Sequence, residues 1–279
     1  NIKSVSEENN KVMVERSGAF KTATDSHIRQ LELFREEKTT LEMELPSSND
    51  YLRHIAYDSV IFGFSGEQLK ILIMEYHNTG WFALPGGFVR TTENLNDAVK
   101  RGLKERTGLD NIYLEQFYTF GDYARHDASV MKGIMEAAGH SIEKQHWLLD
   151  RFLSIAYYAL VDHRKVTLTP DHLSDSINWY PVNELPPLML DHNAIIQKAL
   201  DTLKLNLNSK LIGMNLLPTK FTMKELRKVH EAVLGEPIRR TTFQRKMLSL
   251  GILERHEKRY NGKAHKAPYL YSFVEFSTS

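Results

Sequence analysis

The sequence predicts a two-domain protein of the α/β class, and three observations support this prediction. A chain of 279 residues is longer than one compact core usually requires, so two domains are expected. Between residues 51 and 205, apolar runs typical of strands alternate with segments of helical periodicity. Residues 213–279 hold 13 Lys and Arg against 6 Asp and Glu, although the net charge of the whole chain is only +1. A basic C-terminal domain therefore follows an acidic one, which points to nucleic acid as the partner of the basic part.

The composition excludes several classes of site. The chain has no cysteine, which rules out disulfides, thiolate zinc sites and cysteine nucleophiles. Its 12 histidines are scattered and lack the H-E-x-x-H spacing of a metalloprotease. No run of about 18 apolar residues is present, and the N-terminus lacks the apolar segment of a signal peptide. We therefore expect a cytoplasmic protein with no membrane contact.

Residues 1–50 are predicted to form a polar N-terminal arm. Apolar residues at helical spacing predict a helix from Asp25 to Met43 within this arm. The helix could pack on the rest of the protein, or it could serve as a dimerisation arm. The sequence leaves both alternatives open.

Residues 51–205 are predicted to form the first domain. Strands are expected at residues 55–64 and 69–76, on either side of a turn, and again at residues 114–120, 152–161 and 177–182. A helix should begin at Asp191, whose side chain is suited to capping it. The adjacent His192 and Asn193 could instead face a ligand. Residues 128–151 are longer than a normal connection, so they are either a lid over a pocket or a surface ornament.

One stretch of the first domain fits a known pattern, G-x5-E-x7-R-E-U-x-E-E-x-G-U, in which U is a bulky aliphatic residue. The residues that fit are Gly87, Glu93, Arg101, Leu103, Glu105, Gly108 and Leu109. The stretch resembles the Nudix box, and this resemblance implies a Nudix α/β/α sandwich over residues 51–205. It also implies that Glu93 and Arg101 form an ion pair that braces the loop of the box.

Two departures from the box predict that catalysis is lost. In Nudix hydrolases, carboxylates of the box bind the Mg²⁺ that holds a pyrophosphate, and Gly102 and Arg106 replace two of these glutamates here. A lone Glu105 offers a hard cation too few oxygen ligands, and the positive charge of Arg106 repels it. We therefore expect no enzyme activity, no catalytic residue, no metal and no cofactor.

Gly102 itself needs an explanation, because a glycine inside a helix costs about 1 kcal/mol relative to alanine. One explanation is tight packing around the helix. The other is room for a ligand where a metal-binding side chain would otherwise project.

Residues 217–279 are predicted to form the second domain, after a linker at residues 206–216. Thr222 and Glu225 have the spacing of a capping box, and the helix that follows should end at Gly235. A second helix is expected at residues 239–250, followed by strands at residues 252–257 and 269–274 around a basic turn. Two helices followed by a β-hairpin are the layout of a small winged helix-turn-helix domain. The second helix of such a domain enters the major groove of DNA.

The candidate DNA contacts follow from side-chain chemistry. Arg binds guanine and Gln binds adenine through paired hydrogen bonds, so we predict that Arg240, Gln244 and Arg245 read bases. Contacts with phosphates are expected from Thr242, Lys258, Arg259, Lys263 and Lys266. Arg239 completes the predicted DNA-binding set. A solvated basic surface and a protein-binding winged helix are the alternatives.

The combination of an altered box with a basic winged helix resembles the Nudix-related transcriptional regulators. That resemblance implies a homodimeric repressor that binds double-stranded operator DNA and senses a small ligand. The N-terminal arm and the insertion at residues 128–151 favour the sugar-responsive branch of the family, with L-arabinose as the expected effector. The predicted lining of the effector pocket is Asp58, Arg90, Asp122, Tyr123, Arg125 and His192.

Two further interpretations of the first domain remain open. One is a sensor of ADP-ribose that regulates NAD metabolism. The other is an active Mg²⁺-dependent Nudix hydrolase whose metal is held by Glu75, Glu105 and Glu115.

Overall fold

The computed structural model describes residues 47–110, 112–207, 216–260 and 267–274. The helix predicted at residues 25–43 and the central part of the predicted linker lie outside these ranges. Within them, no helix is long and apolar enough to cross a membrane.

A mixed sheet of seven strands forms the centre of the first domain. The strands are β1 (Tyr51–Phe64), β2 (Leu69–Tyr76), β3 (Phe82–Ala83), β4 (Gly86–Arg90), β5 (Tyr113–Phe120), β6 (Leu153–Val161) and β7 (Ser174–Pro181). β1 lies in the middle, parallel to β6 and antiparallel to β2 and β4. The five strands predicted from the sequence are present, whereas β3 and β4 were not predicted.

Helices cover both faces of this sheet. α1 (Leu95–Thr107) packs on one face and α3 (His192–Asn206) on the other, while α2 (Ala128–Ala137) lies in the insertion. Alternate residues of β1 point to the two faces, so that Tyr57 lies in the core beside α1 and Val60 in the core beside α3. The predicted α/β/α sandwich is confirmed.

The second domain is a winged helix, as predicted. It consists of β8 (Phe221–Thr222), α4 (Met223–Leu234), α5 (Arg240–Ser249), β9 (Leu253–Lys258) and β10 (Tyr269–Phe273), with the strands in the order β8-β10-β9. The capping box is confirmed, because Thr222 and Glu225 exchange side-chain and backbone hydrogen bonds. Gly235 ends α4 in the left-handed conformation, with φ of 77°.

The two domains share one apolar core. Leu203 and Leu207, at the end of α3, belong to the same buried cluster as Leu217 and Val229 of the second domain. Leu207 and Leu216, at opposite ends of the predicted linker, are also buried in it. The winged helix is therefore packed directly against the sandwich, with α4 against α3.

The insertion is anchored to the sandwich through an aromatic cluster. Trp147 stacks on Tyr51, with ring centroids 5.8 Å apart, and meets the edge of Phe88 at 5.1 Å. Phe88 lies on β4, in the first part of the box, and Trp147 is only 5% exposed. The insertion is thus part of the domain core beside the box.

Candidate functional site

Two polar sites lie on opposite faces of the central sheet, at adjacent residues of β1. Tyr57 faces α1, where the residues of the box are found. Asp58 faces the other side, where it meets the start of α3. The box site and the Asp58 cluster are described in turn.

The ion pair expected within the box is present. Arg101 donates from Nε and Nη2 to the two carboxylate oxygens of Glu93, at 3.1 and 2.7 Å. Its Nη2 also donates to the carbonyl oxygen of Phe88 at 3.3 Å. The hydrogen bond with Arg101 holds the pKa of Glu93 below its usual value, despite partial burial. This brace fixes the loop between β4 and α1.

Tyr57 explains the glycine inside α1. A Cβ atom at Gly102 would overlap the hydroxyl oxygen of Tyr57, at a separation that real Cβ atoms do not show. A Cβ at Gly87 would lie only 2.7 Å from the same oxygen. Burial raises the pKa of Tyr57 to about 12, although Arg101 and Arg106 act in the opposite direction. Tight packing is therefore the correct explanation of Gly102, and the space beside it is filled by this chain.

Arg106 occupies the second altered position and is held by a half-buried ion pair. Its Nη2 lies 2.6 Å from Asp171 Oδ2, and both side chains are at most 15% exposed. The lone carboxylate of Glu105 lies between two guanidinium groups, 3.5 Å from Arg101 Nη1 and 3.8 Å from Arg106 Nη1. Positive charge thus surrounds the one glutamate that remains at the metal-binding positions.

The carboxylates of the alternative metal site are engaged elsewhere. Glu75 accepts a hydrogen bond from Ser176, and Glu115 accepts from the hydroxyls of Tyr113 and Tyr158. Tyr158 belongs to the core beside α3, whereas Glu105 lies on α1 at the opposite face. Among the described residues, no three His, Asp or Glu side chains come together as a metal site would require.

The Asp58 cluster is a buried network of charged groups. Arg125 donates from Nε to Asp191 Oδ2 at 2.9 Å and from Nη1 to the carbonyl oxygen of Phe152 at 2.9 Å. Its Nη2 lies 3.6 Å from Asp58 Oδ2. Ser154 donates a short hydrogen bond to the same carboxylate. Because charged groups this deeply buried are stable only when paired, the cluster ties β1, β6 and the start of α3 together.

His192 adds a directional contact to this cluster. Its Nδ1 accepts a hydrogen bond from the backbone N–H of Leu84 at 2.9 Å, and its Nε2 lies 3.8 Å from Asp58 Oδ1. Two carboxylates, those of Asp58 and Asp191, face the one guanidinium of Arg125 in this cluster.

The predicted effector lining divides into two groups. Asp58, Arg125 and His192 come together in the buried cluster just described. Arg90, Asp122 and Tyr123 lie at the surface, where Tyr123 is 80% exposed and its ring is 5.4 Å from the guanidinium of Arg151. The structure therefore brings three of the six predicted residues together and leaves the other three exposed, and the lining as a whole stays a prediction.

The sequence interpretation also missed or misassigned some partners. Asp191 stands at the N-cap of α3 but makes no side-chain cap bond; its carboxylate binds Arg125 instead. Tyr57 and Asp171 were not singled out, because no local pattern connects them with the box.

The predicted DNA contacts fall on α5 and the hairpin. Arg239, Arg240, Thr242 and Arg245 are exposed and Gln244 is half-buried, while Phe243 and Met247 fix the helix in the core at 3% and 2% exposure. Across the described ranges, the three arginines make no ion pair. On the hairpin, Arg259 Nη1 binds Glu225 at 2.8 Å, and Lys258 Nζ lies 5.1 Å from the ring centroid of Tyr269. Lys263 and Lys266 lie outside the described residues.

Known proteins match both parts of this architecture. Residues 52–202 match the NUDIX domain, and residues 213–273 match the NrtR DNA-binding winged helix domain. The ADPR responsive transcriptional repressor NtrR of Acinetobacter baylyi is 27% identical over 227 residues, which cover 78% of this chain and 82% of that protein.

Two solved structures of one relative align with most of this chain. The crystal structure of Shewanella oneidensis NrtR aligns with a TM-score of 0.60 and 26% identity, covering 80% of this chain and 94% of the other. The same protein complexed with a 27mer DNA aligns with a TM-score of 0.61 and 27% identity over the same shares.

These relatives show that the predicted sugar effector is wrong. The curated relative that spans both domains is named for its response to ADPR, not to a sugar. The error lay in choosing the branch from the N-terminal arm and the insertion at residues 128–151, which do not identify an effector.

The extent of the NUDIX match, together with the sandwich and the braced box, settles the family. The chain belongs to the NUDIX domain family and carries an NrtR DNA-binding winged helix domain after its sandwich.

Proposed function

We propose that this protein is a transcriptional repressor that binds double-stranded operator DNA through its winged helix and responds to ADP-ribose. The observation that carries the proposal is the relative that matches both domains in one alignment and is described as an ADPR responsive repressor. The exposed arginines at the start of α5, which form no ion pair with any residue that the structure describes, support the DNA-binding half.

We propose further that the sandwich binds its effector without hydrolysing it. Three contacts support this proposal. The hydroxyl of Tyr57 fills the space at Gly102, Arg106 is locked to Asp171, and Glu105 faces two guanidinium groups. Mg²⁺ would have to bind against this positive charge with one carboxylate.

The effector contacts are proposed to come from the exposed group of the predicted lining. Exposed Arg90, at the end of β4 beside the braced loop, suits the pyrophosphate. Asp122 and Tyr123 suit the ribose hydroxyls and the base, because carboxylates accept from hydroxyls and aromatic rings stack on bases. A ligand bound to Asp122 and Tyr123 would act on Asp58, Arg125 and His192 through the short segment that joins Tyr123 to Arg125.

A route from this region to the DNA-binding domain is present in the fold. The start of α3 is fastened by Arg125 and His192, and its other end packs against α4 in the shared core. A ligand that favours one position of α3 would therefore bias the winged helix. Coupling of this kind between two binding sites typically changes the affinity for the second ligand, here DNA, by roughly 5- to 150-fold.

A homodimer is part of the proposal, because two winged helices on one two-fold axis would match the half-sites of an operator. Analytical ultracentrifugation of the full chain tests it. A monomer at all concentrations that bind DNA would contradict it.

Isothermal titration with ADP-ribose tests the effector, in the absence and in the presence of Mg²⁺, followed by chromatography of the nucleotide. We expect saturable binding in both conditions and intact ADP-ribose at the end. The variant Arg90→Ala should bind more weakly, while Lys132→Ala, which removes an exposed charge from α2, should not differ from the parent. Absence of binding would refute the proposal that ADP-ribose is the effector. Release of AMP in the presence of Mg²⁺ would refute the proposal that the effector is not hydrolysed.

A further inference from the structure

The cations of the hairpin differ in what they contact. Arg259 donates to Glu225 Oε1 at 2.8 Å. Glu225 is also the carboxylate of the capping box, and its Oε2 accepts from the backbone N–H of Thr222 at 2.7 Å. Burial acts to raise the pKa of Glu225, but the Thr222 N–H and Arg259 outweigh it, so the pKa is lowered. Arg259 is therefore held at the start of α4.

A second cation near the hairpin is neutralised in a similar way. Lys220 Nζ lies 3.0 Å from Glu257 Oε1 on β9. Neither Lys220 nor Arg259 thus offers a free positive charge to a polyanion.

Arg255 and Lys258 are arranged differently. Neither forms an ion pair with any residue that the structure describes, and both lie over one aromatic ring. The guanidinium carbon of Arg255 is 4.8 Å from the ring centroid of Tyr269, and Lys258 Nζ is 5.1 Å from it. Tyr269 is 40% exposed, and Arg255 is exposed beside it.

This arrangement suits the binding of phosphate groups. A cation over an aromatic ring keeps its full charge, because the attraction comes from the electron density of the ring and not from a counter-ion. The ring also limits the conformations of both long side chains before DNA arrives, so that less conformational freedom is lost on binding. Two such cations on one ring present positive charge from a defined position on the hairpin.

We propose that Arg255 and Lys258, positioned by Tyr269, are a phosphate-binding pair of the wing, and that Arg259 is a structural residue that makes no phosphate contact. This inference rests on the proposed DNA-binding function and assigns its contacts on the hairpin. It adds Arg255 and Tyr269 to the interface that the sequence predicted and removes Arg259 from it.

Binding of the full chain to a random-sequence duplex at several salt concentrations tests the inference. The slope of log affinity against log salt reports the number of phosphates neutralised, at about 0.9 per contact. We expect Arg255→Ala and Lys258→Ala each to reduce the magnitude of the slope by about 0.9. Arg259→Ala should leave the slope unchanged while lowering the melting temperature of the protein.

Tyr269→Leu separates positioning from charge, because it keeps both cations and removes the ring. Its slope should stay close to that of the parent, while its affinity falls roughly two- to fivefold, as expected for loss of an exposed cation–π contact. Lys132→Ala controls for the loss of any one positive charge. Each variant is checked for its melting temperature, and the exposed position of Arg255 makes its substitution the least damaging to the fold.

The possible outcomes are distinct. A reduced slope for Arg259→Ala, with unchanged slopes for Arg255→Ala and Lys258→Ala, would overturn the inference while leaving DNA binding intact. A parent protein with no affinity for any duplex, or with affinity that does not depend on salt, would refute the proposed DNA-binding function itself.

Discussion

Replacing Gly102 by alanine tests whether Tyr57 closes the former metal position. In an ordinary helix this substitution stabilises by about 1 kcal/mol, because alanine is the better helix former. Here the new methyl group would overlap the hydroxyl of Tyr57, which is 3% exposed and also confined by Gly87. Overpacking of a core costs about 1–3 kcal/mol. With a contact this close, we expect Gly102→Ala to lower the free energy of unfolding by about 1–2 kcal/mol.

A double-mutant cycle with Tyr57→Phe isolates the hydroxyl. Without that oxygen, the nearest ring atom lies 3.3 Å from the added methyl group, a contact that small shifts can relieve. Gly102→Ala should then be neutral or stabilising by up to about 1 kcal/mol in the Tyr57→Phe background. The two substitutions are in contact, so their effects should not add.

Urea unfolding followed by tryptophan fluorescence measures this cycle, because all three tryptophans, Trp81, Trp147 and Trp179, lie in the sandwich domain. A stabilising effect of Gly102→Ala in the parent protein would refute the reasoning. So would an equal loss of stability in both backgrounds, because it would show that the hydroxyl is not the obstacle.

Three further predictions concern ionisable side chains that are buried or partly buried. Arg125→Met should lower the free energy of unfolding, measured in urea, by about 3–5 kcal/mol. Adding Asp58→Asn and Asp191→Asn should restore part of the loss, because both carboxylates are left without their cation. No recovery would show that Arg125 does not stabilise the protein by pairing with them. Burial and the nearby Lys246 lower the pKa of His230 from 6.5 to about 4, so stability should fall by up to about 3 kcal/mol as pH decreases from 6.5 to 4. A His230→Leu variant should lack that dependence. Arg106→Glu restores one glutamate of the box but should give no Mg²⁺-dependent turnover of ADP-ribose, because the hydroxyl of Tyr57 still fills the space beside Gly102. Measurable turnover would contradict this prediction.

The pH prediction follows from where the proton binds. Below 6.5 the unfolded chain protonates this histidine, whereas the folded protein resists protonation until about pH 4. The unfolded state therefore binds more protons inside this window, and stability rises with pH across it. The ring packs on Phe243 between α4 and α5, at a centroid distance of 4.9 Å. The effect should therefore appear first in the winged helix.

The fold could be predicted from the sequence where the signal was local. The capping box at Thr222 and Glu225 and the left-handed stop at Gly235 depend on residues a few positions apart, and both were found. The ion pair between Glu93 and Arg101 was implied by the resemblance to the Nudix box, and the structure confirms it. The strands β3 and β4 were missed because they are short and, at Gly86 and Gly87, lack the side chains that identify a strand.

The contacts that define the site are not local, and they could not be predicted. Arg106 and Asp171 are 65 positions apart, and no periodicity relates them. Tyr57 appeared only as part of an apolar strand, although it decides what can stand at Gly102. Asp191 was assigned to helix capping, which its position favours, until the guanidinium of Arg125 was found beside it.

The effector could not be chosen correctly from the box alone. The sugar-responsive branch was chosen from the N-terminal arm and the insertion at residues 128–151, and the length of a segment does not identify an effector. The box does not identify it either, because its two cations, Arg101 and Arg106, are paired with Glu93 and Asp171.

The most direct test of the central claim is the affinity for DNA in the absence and presence of ADP-ribose. A duplex is first selected by the full-length protein from a random library, and its binding is then followed by fluorescence anisotropy without Mg²⁺. We predict that saturating ADP-ribose weakens DNA binding by roughly 5- to 150-fold and that the nucleotide is recovered unchanged. An unchanged DNA affinity, at a concentration of ADP-ribose that calorimetry shows to be saturating, would contradict the account.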